Sequence, residues 1–249
     1  MTEIELIIDL YKHTVRQGPG SATETKKALN LIGIGKTDNI RIADIGCGTG
    51  AQTIDLAENT NGHITAVDIF PEFLDALKKK AEERGYDNRI ETVSESMDNL
   101  NFSQEEFDLM WSEGAIYNMG FKEGVREWRK FIKTGGFLAV TEISWISHSR
   151  PREIENHWNT EYPQIDTIAN KTAVLEENGY TPYAHFIIPP YCWIENFYKP
   201  LQACFDSFIN RNADSELAQK IIENEKKEIA LYNKYNAYYG YVFYIAQKR

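Results

Sequence analysis

Cysteine is scarce in this chain. The three present, Cys47, Cys192 and Cys204, form no C-x-x-C and no paired spacing. A disulfide framework and a zinc site are thereby disfavoured, and no metal is expected. Long apolar runs are missing as well; none approaches the roughly 20 residues of a membrane-spanning helix. Positive charge is in deficit: 27 Lys and Arg against 37 Asp and Glu give a formal net charge of −10. No segment carries a basic stripe, so binding to a nucleic-acid backbone is disfavoured. The opening Met1-Thr-Glu-Ile-Glu5 is acidic and lacks a signal-peptide pattern. These absences together lead to the expectation of a soluble cytoplasmic protein. No internal repeat, low-complexity tract or linker interrupts the 249 residues, so one domain over 1–249 is expected. Hydrophobic residues make up 42% of the chain, enough for a sizeable core.

What is present is concentrated in Arg41-Ile-Ala-Asp-Ile-Gly-Cys-Gly-Thr-Gly50. An apolar run over 40–45 reads as a buried strand that enters a glycine-dense turn. Gly46, Gly48 and Gly50 remove side chains where the backbone bends and a ligand comes close. A helix is expected from Ala51, with its free N–H groups facing whatever sits over the turn. Cys47 fits the turn as a small residue rather than as a nucleophile. Eighteen residues past Gly50, Ile64-Thr-Ala-Val-Asp68 is a second apolar run ending in an acid. An acid at such a strand tip can accept hydrogen bonds from both hydroxyls of a ribose. Ile69 and Phe70 follow, and one of them is placed to pack on an adenine face. Pro71 then opens a helix over 71–84.

Gly46-x-Gly48-x-x-Ala51 satisfies the loose dinucleotide pattern. Asp44-x-Gly46-x-Gly48-x-Gly50, with its leading carboxylate, resembles motif I of the class I S-adenosylmethionine (SAM) methyltransferases. Asp44 favours the second reading. A carboxylate beside the turn repels a pyrophosphate, whereas the ammonium and sulfonium of SAM are attracted by one. The resemblance is closest to the ubiquinone/menaquinone-biosynthesis-type and related small-molecule methyltransferases. It implies SAM as cofactor and a small-molecule methyl acceptor.

The order of elements supports a matching fold. Strands are predicted at 40–45, 64–68, 90–93, 107–112 and 136–143, with helices between them, including 71–84 and 121–133. Alternation of this kind implies a parallel sheet covered on both faces. Gly135-Gly136 fits the turn from a helix into the fifth strand. Further strands are expected at 182–188 and 239–247, with helices over 193–210 and 215–235 between them. The fold class is therefore α/β: a doubly wound, Rossmann-like, seven-stranded, mostly parallel sheet with an antiparallel last strand at its edge. The aromatic strand over 239–245 could then pair with a second copy as a homodimer, or be covered. Within the single domain, 36–143 is the expected SAM-binding core and 181–249 holds the C-terminal strands and helices. Residues 1–35 read as two helices split by Arg16-Gln-Gly-Pro-Gly-Ser21, with Ser21 and Glu24 as a capping box. The resemblance implies that 1–35 and 144–180 close over the cofactor and shape the substrate pocket.

Other stretches supply candidate contacts. Ser94-Glu-Ser-Met-Asp-Asn-Leu-Asn-Phe102 resembles the family stretch written G-D-x-x-x-L-P-F. Ser96 stands where the family has an acid facing the adenine amine, Met97 takes the apolar position, and Asp98 is a substitute acceptor. Ser112 and Glu113 close the fourth strand at its carboxyl end, where ligands bind in open α/β sheets. Glu113 is a candidate for the SAM amine, and Tyr117 for the methyl group. The cofactor set implied by the resemblance is Asp44, Gly46, Cys47, Gly48, Gly50, Gln52, Asp68, Ile69, Ser96, Met97, Ser112 and Glu113. Methyl transfer from a sulfonium demands alignment and exclusion of water rather than a triad or a metal. A base is needed only if the acceptor loses a proton. Its candidates are Tyr11, His13, Glu142, His148 and His185. Glu142, at the end of the fifth strand, is the first choice for a substrate contact, followed by Tyr117 and Tyr11.

Ile188-Pro-Pro-Tyr191 is similar to the D/N/S-P-P-Y/F/W motif of amino-methylating nucleic-acid enzymes. Its first residue is apolar and it follows the wrong strand, so it carries no such role. Trp145, Trp158, Tyr191, Trp193, Phe197 and Tyr198 cluster in the later half, as core packing or as an aromatic pocket. Two rival functions stay open at this level: an NAD-dependent oxidoreductase, and a non-catalytic protein that binds SAM.

Overall fold

A computed structural model describes residues 1–249. Its centre is a mixed sheet in the order β3-β2-β1-β4-β5-β8-β7. The strands are β1 (Arg41–Ile45), β2 (His63–Asp68), β3 (Ile90–Ser94), β4 (Phe107–Ser112), β5 (Ile132–Trp145), β7 (Tyr180–Ile187) and β8 (Tyr239–Lys248). A two-residue β6 (Asp166–Thr167) pairs with the far end of β5 and brings the count to eight. Strands β1 to β5 run parallel, and β8 runs antiparallel to both β5 and β7. The run of parallel strands is the one the alternation predicts, and the sheet agrees with the fold that the resemblance implies.

The last strand is not an edge. β8 lies between β5 and β7, hydrogen-bonded on both sides. Its near-continuous burial reflects that position, as expected of a strand covered on both faces. Pairing of subunits through the 239–245 strand has no free edge to use; the edge on that side is β7.

The helices are α1 (Glu3–Tyr11), α2 (Ala22–Ile32), α3 (Ala51–Asn59), α4 (Pro71–Arg84), α5 (Phe121–Trp128), α6 (Arg152–Glu161) and α7 (Ile168–Glu177). They are followed by α8 (Pro190–Trp193), α9 (Lys199–Arg211) and α10 (Glu216–Tyr235). Strand alternation sorts side chains onto two cores. Ile42, Ile64, Leu109 and Trp111 face a large core built with α1–α4 and α8–α10. Ala43, Ile45, Val67 and Met110 face a smaller one closed by α5 and α7. The cluster of Trp193, Phe197 and Tyr198 belongs to the large core, where Trp193 stacks on Tyr232 at 4.4 Å between centroids. No helix is long and apolar enough to cross a membrane.

Several local expectations change. The α5 helix stops at Trp128 and a 3₁₀ turn carries the chain to Phe131, so β5 begins at Ile132. Gly135 and Gly136 therefore lie inside the strand, where the register against β4 jumps from Phe107↔Ile132 to Leu109↔Phe137. Gly135 has φ +81°, the glycine geometry of a bulge rather than of a helix exit. The helix predicted to start at 193 begins at Pro190 and runs through a π turn at Ile194–Tyr198 into α9. Ser21 does cap α2, accepting from the Glu24 N–H at 3.1 Å. The reciprocal half of a box is replaced: Glu24 Oε1 accepts from the Tyr191 hydroxyl at 3.1 Å. A complete capping box sits instead at Thr2 and Glu5.

Candidate functional site

A cleft of about 990 Å³ opens at the carboxyl ends of β1, β2 and β4. That volume accommodates a nucleoside-sized ligand together with a small second molecule. Its floor is the glycine turn. Gly46 has φ +71°, and a Cβ there would stand 2.3 Å from Ala115 Cβ. Gly48 has φ +54°, with the Gln17 side-chain oxygen 2.4 Å from the place a Cβ would occupy. Gly46 is closed to other residues by conformation and by space, and Gly48 is disfavoured for them by its left-handed conformation. Gly50 is the left-handed N-cap of α3 and packs on Leu77, outside the cleft. The turn is anchored where β2 ends: the N–H groups of Gly46 and Cys47 both donate to Val67 O.

Asp68 lies at the tip of β2 beside this turn and lines the cleft. Its Oδ2 accepts from Gly48 N at 2.8 Å and its Oδ1 from Phe70 N at 3.0 Å. Each oxygen keeps a second lone pair, and the two are held as a fixed pair of acceptors. Burial moves its carboxyl above the usual range, against those two backbone bonds. Cys47, Gln52, Ile69, Ser96 and Met97 line the same cleft, as does Asp98. Met97 is fixed by its carbonyl, which accepts from the Trp128 indole at 2.9 Å.

A strap formed by residues 14–20 crosses the turn. The Thr49 N–H donates to Gln17 Oε1 at 2.8 Å. Arg16 is pinned between Asp55, at 2.5 Å, and Glu113, at 3.3 Å. Glu113 also accepts from Thr25 Oγ1 at 2.7 Å and from the Trp111 indole at 3.0 Å. It borders the cleft, with its carboxylate committed to holding the strap down.

Besides Gly50, three residues from the sequence-derived set lie outside the cleft. Asp44 shares a strand face with Ile42, the face that α3 covers. It is fully buried, accepts from Thr53 Oγ1 at 2.6 Å and does not reach the cleft. Burial pushes its carboxyl up to about 7. Ser112 is buried and donates to Ile45 O at 2.8 Å, tying β4 to β1. Glu142 falls on the opposite face, beneath α7, where Lys171 Nζ at 2.6 Å and the Tyr162 hydroxyl at 2.8 Å meet its Oε1. A fully buried ion pair outside the cleft is not a substrate contact, so the first choice from the sequence is corrected. None of His13, His148 and His185 lines the cleft.

The remaining wall comes from chain ends that sequence spacing does not connect. Tyr11 of α1 and Tyr117 after β4 both face the cleft, as does Glu225 of α10. The Tyr11 hydroxyl donates to Glu225 Oε1 at 2.8 Å across 214 residues of sequence. Burial, then the neighbouring carboxylates, hold the Tyr11 hydroxyl well above its usual range, so it stays protonated and is a poor base. Glu225 was not a sequence candidate: Glu223-Asn224-Glu225-Lys226-Lys227-Glu228 reads as a solvated charge run. No residue of 144–180 lines the cleft. The segment implied as a second cap instead contributes α7, which packs on α5 and β7.

Known proteins match this arrangement. Residues 42–136 match a family model described as a methyltransferase domain. A sterol 24-C-methyltransferase of Gibberella zeae is 26% identical over 114 residues, 45% of this chain and 29% of its own length. A ubiquinone/menaquinone biosynthesis C-methyltransferase of Shewanella frigidimarina is 23% identical over 54% of this chain and 55% of its own. The matched part thus spans between about a third and half of these relatives. A solved SAM-dependent methyltransferase of Geobacter sulfurreducens, in complex with S-adenosyl-L-homocysteine, superposes with a TM-score of 0.84. It is 16% identical, over 98% of both chains. The fold is that of the class I methyltransferases, and the glycine turn lies within the matched segment.

Proposed function

We propose that this chain, whose residues 42–136 match a family model described as a methyltransferase domain, is a SAM-dependent enzyme that methylates a small-molecule acceptor. One observation carries the cofactor assignment. The glycine turn takes φ values that side chains disfavour, and Asp68, which lines the cleft, is clamped beside it by one backbone bond to each carboxylate oxygen. A ribose diol fits that pair of acceptors. Ile69, Phe70, Ser96 and Met97 line the same cleft and would border the adenine. When bound, SAM supplies an activated methyl group on a positively charged sulfur.

What the protein contributes is placement and exclusion of water. The strap fastened by Arg16 and Gln17 covers the turn, and α1 and α10 close the opposite side. Tyr117 extends from the end of β4 into the remaining space, where the acceptor would lie. Asp44 acts one step removed: bonded to Thr53 and Gln52, it fixes the start of α3 against β1 and so holds the turn.

The test is thermal unfolding with SAM, S-adenosylhomocysteine and NADH, each at about 1 mM. A ligand at about 100 times its Kd adds roughly 2.7 kcal/mol, a rise of very roughly 5–10 °C for a chain of this size. Stabilisation by the two adenosyl sulfur compounds and not by NADH is expected. Stabilisation by NADH alone would overturn the reading in favour of the oxidoreductase.

A further inference from the structure

The cleft is electrostatically one-sided. Eight acidic residues and two arginines line it, with no lysine and no histidine. Both arginines are already paired, Arg16 with Asp55 and Glu113, and Arg126 with Glu127. SAM carries a sulfonium, an ammonium and a carboxylate, so it leaves most of this negative charge uncompensated.

The excess has a focus at the α1–α10 wall. Glu225 Oε1 accepts from the Tyr11 hydroxyl, while Oε2 is closed off from solvent with no hydrogen-bond partner. One turn along α10, Glu228 accepts only from the Tyr198 hydroxyl, at 3.0 Å. The groups acting on this pair are each other and two phenols; no cation of the chain is among them. Burial, then Glu228, raises the Glu225 carboxyl to about 7. Tyr117 lies within the field of both carboxylates. A buried carboxylate left unpaired is costly, and aromatic rings beside it are the usual companions of a bound organic cation. No three metal-binding side chains converge anywhere in the chain, which favours an organic cation over a metal ion.

We infer that the acceptor carries a cationic amino group, held by Glu225 and flanked by the rings of Tyr11 and Tyr117. The inference rests on the methyltransferase reading and narrows its substrate class. Acceptors bearing phosphate or carboxylate as their only charge are disfavoured by the same field.

The test titrates the protein, saturated with S-adenosylhomocysteine, with matched probes. Phenylethylamine, tryptamine and choline are each compared with the neutral counterpart of the same shape: phenylethanol, tryptophol and 3,3-dimethylbutanol. At least one amine is expected to bind about tenfold more tightly than its neutral partner. Glu225→Gln should erase that advantage and leave S-adenosylhomocysteine affinity unchanged. Tyr117→Leu, which keeps the carboxylate, should reduce the choline advantage several-fold and serves if the glutamine variant does not fold. Equal binding of amine and neutral partner would overturn the inference. So would an advantage that survives in Glu225→Gln, or no amine binding below about 10 mM. Failure of the wild-type protein to bind S-adenosylhomocysteine in the first step sinks the methyltransferase reading instead.

Discussion

Lys171 Nζ stands 2.6 Å from Glu142 Oε1 between β5 and α7, the two side chains 4% and 0% exposed. The Tyr162 hydroxyl shares the same oxygen, and the ammonium also lies 4.7 Å from the centre of the Phe121 ring. Burial raises the Glu142 carboxyl while the lysine opposes it. The pair therefore fastens α7 to the sheet. Lys171→Met should strand the buried carboxylate and destabilise the protein by about 3–5 kcal/mol. Adding Glu142→Gln to that variant should recover much of the loss. Urea denaturation of the single and double variants measures both, and a Lys171→Met variant of wild-type stability would refute the fastening role.

Asp68→Asn tests the cofactor grip. The amide keeps one acceptor oxygen but presents a donor where the second acceptor stood, facing either a backbone N–H or a ribose hydroxyl. SAM affinity should fall by about 1–3 kcal/mol, roughly 5- to 150-fold in Kd at constant fold. Isothermal titration calorimetry reads it, with circular dichroism as the check on the fold. Unchanged affinity would remove Asp68 from the ribose contact.

How far these roles were legible depends on what a residue's neighbours in sequence reveal. The glycine turn, Asp68 at a strand tip and the succession of the first five strands along the chain are local patterns, and they stand where the spacing put them. Asp44 and Glu142 were legible as acids on strands. Their direction was not, because alternate residues face opposite sides and both sides of this sheet are covered. Which side holds a partner depends on Thr53 and Lys171, placed by helices that follow later. The interior position of β8 depends on a long crossover that returns the chain between two existing strands. Glu225 carries no local signal at all; only folding brings α10 against Tyr11.

Arg16→Ala should loosen the strap over the glycine turn. It leaves Glu113 and Asp55 without their shared cation, and burial already holds Asp55 up at about 6 against the pull of that arginine. A loss of about 1–3 kcal/mol in stability is expected, with SAM binding weakened about tenfold. Cleavage within the Gly18-Pro-Gly20 stretch should also become faster in limited proteolysis. Cleavage and affinity both matching wild type would show that Gln17 and Thr49 hold the strap without Arg16.

Asp44 should make the ligand-free protein lose stability as the pH rises. Its carboxyl is pushed from 3.8 to about 7, first by burial and opposed by the Thr53 hydroxyl. Below the unfolded value both states carry the proton, and burial of a neutral acid costs little. Between about pH 4 and pH 7 only the unfolded state ionises, so each step upward favours unfolding; above that range the penalty is complete. Asp44→Asn cannot ionise and keeps an oxygen for Thr53, while its amide nitrogen meets Gln52 with an offset that does not vary with pH. The stability of the variant relative to wild type should therefore improve by about 2–4 kcal/mol between pH 4 and pH 8. Urea melts at the two ends of that range decide it. Parallel pH profiles for the two proteins would mean that Asp44 is ionised throughout, with Thr53 and Gln52 sufficient to stabilise its charge.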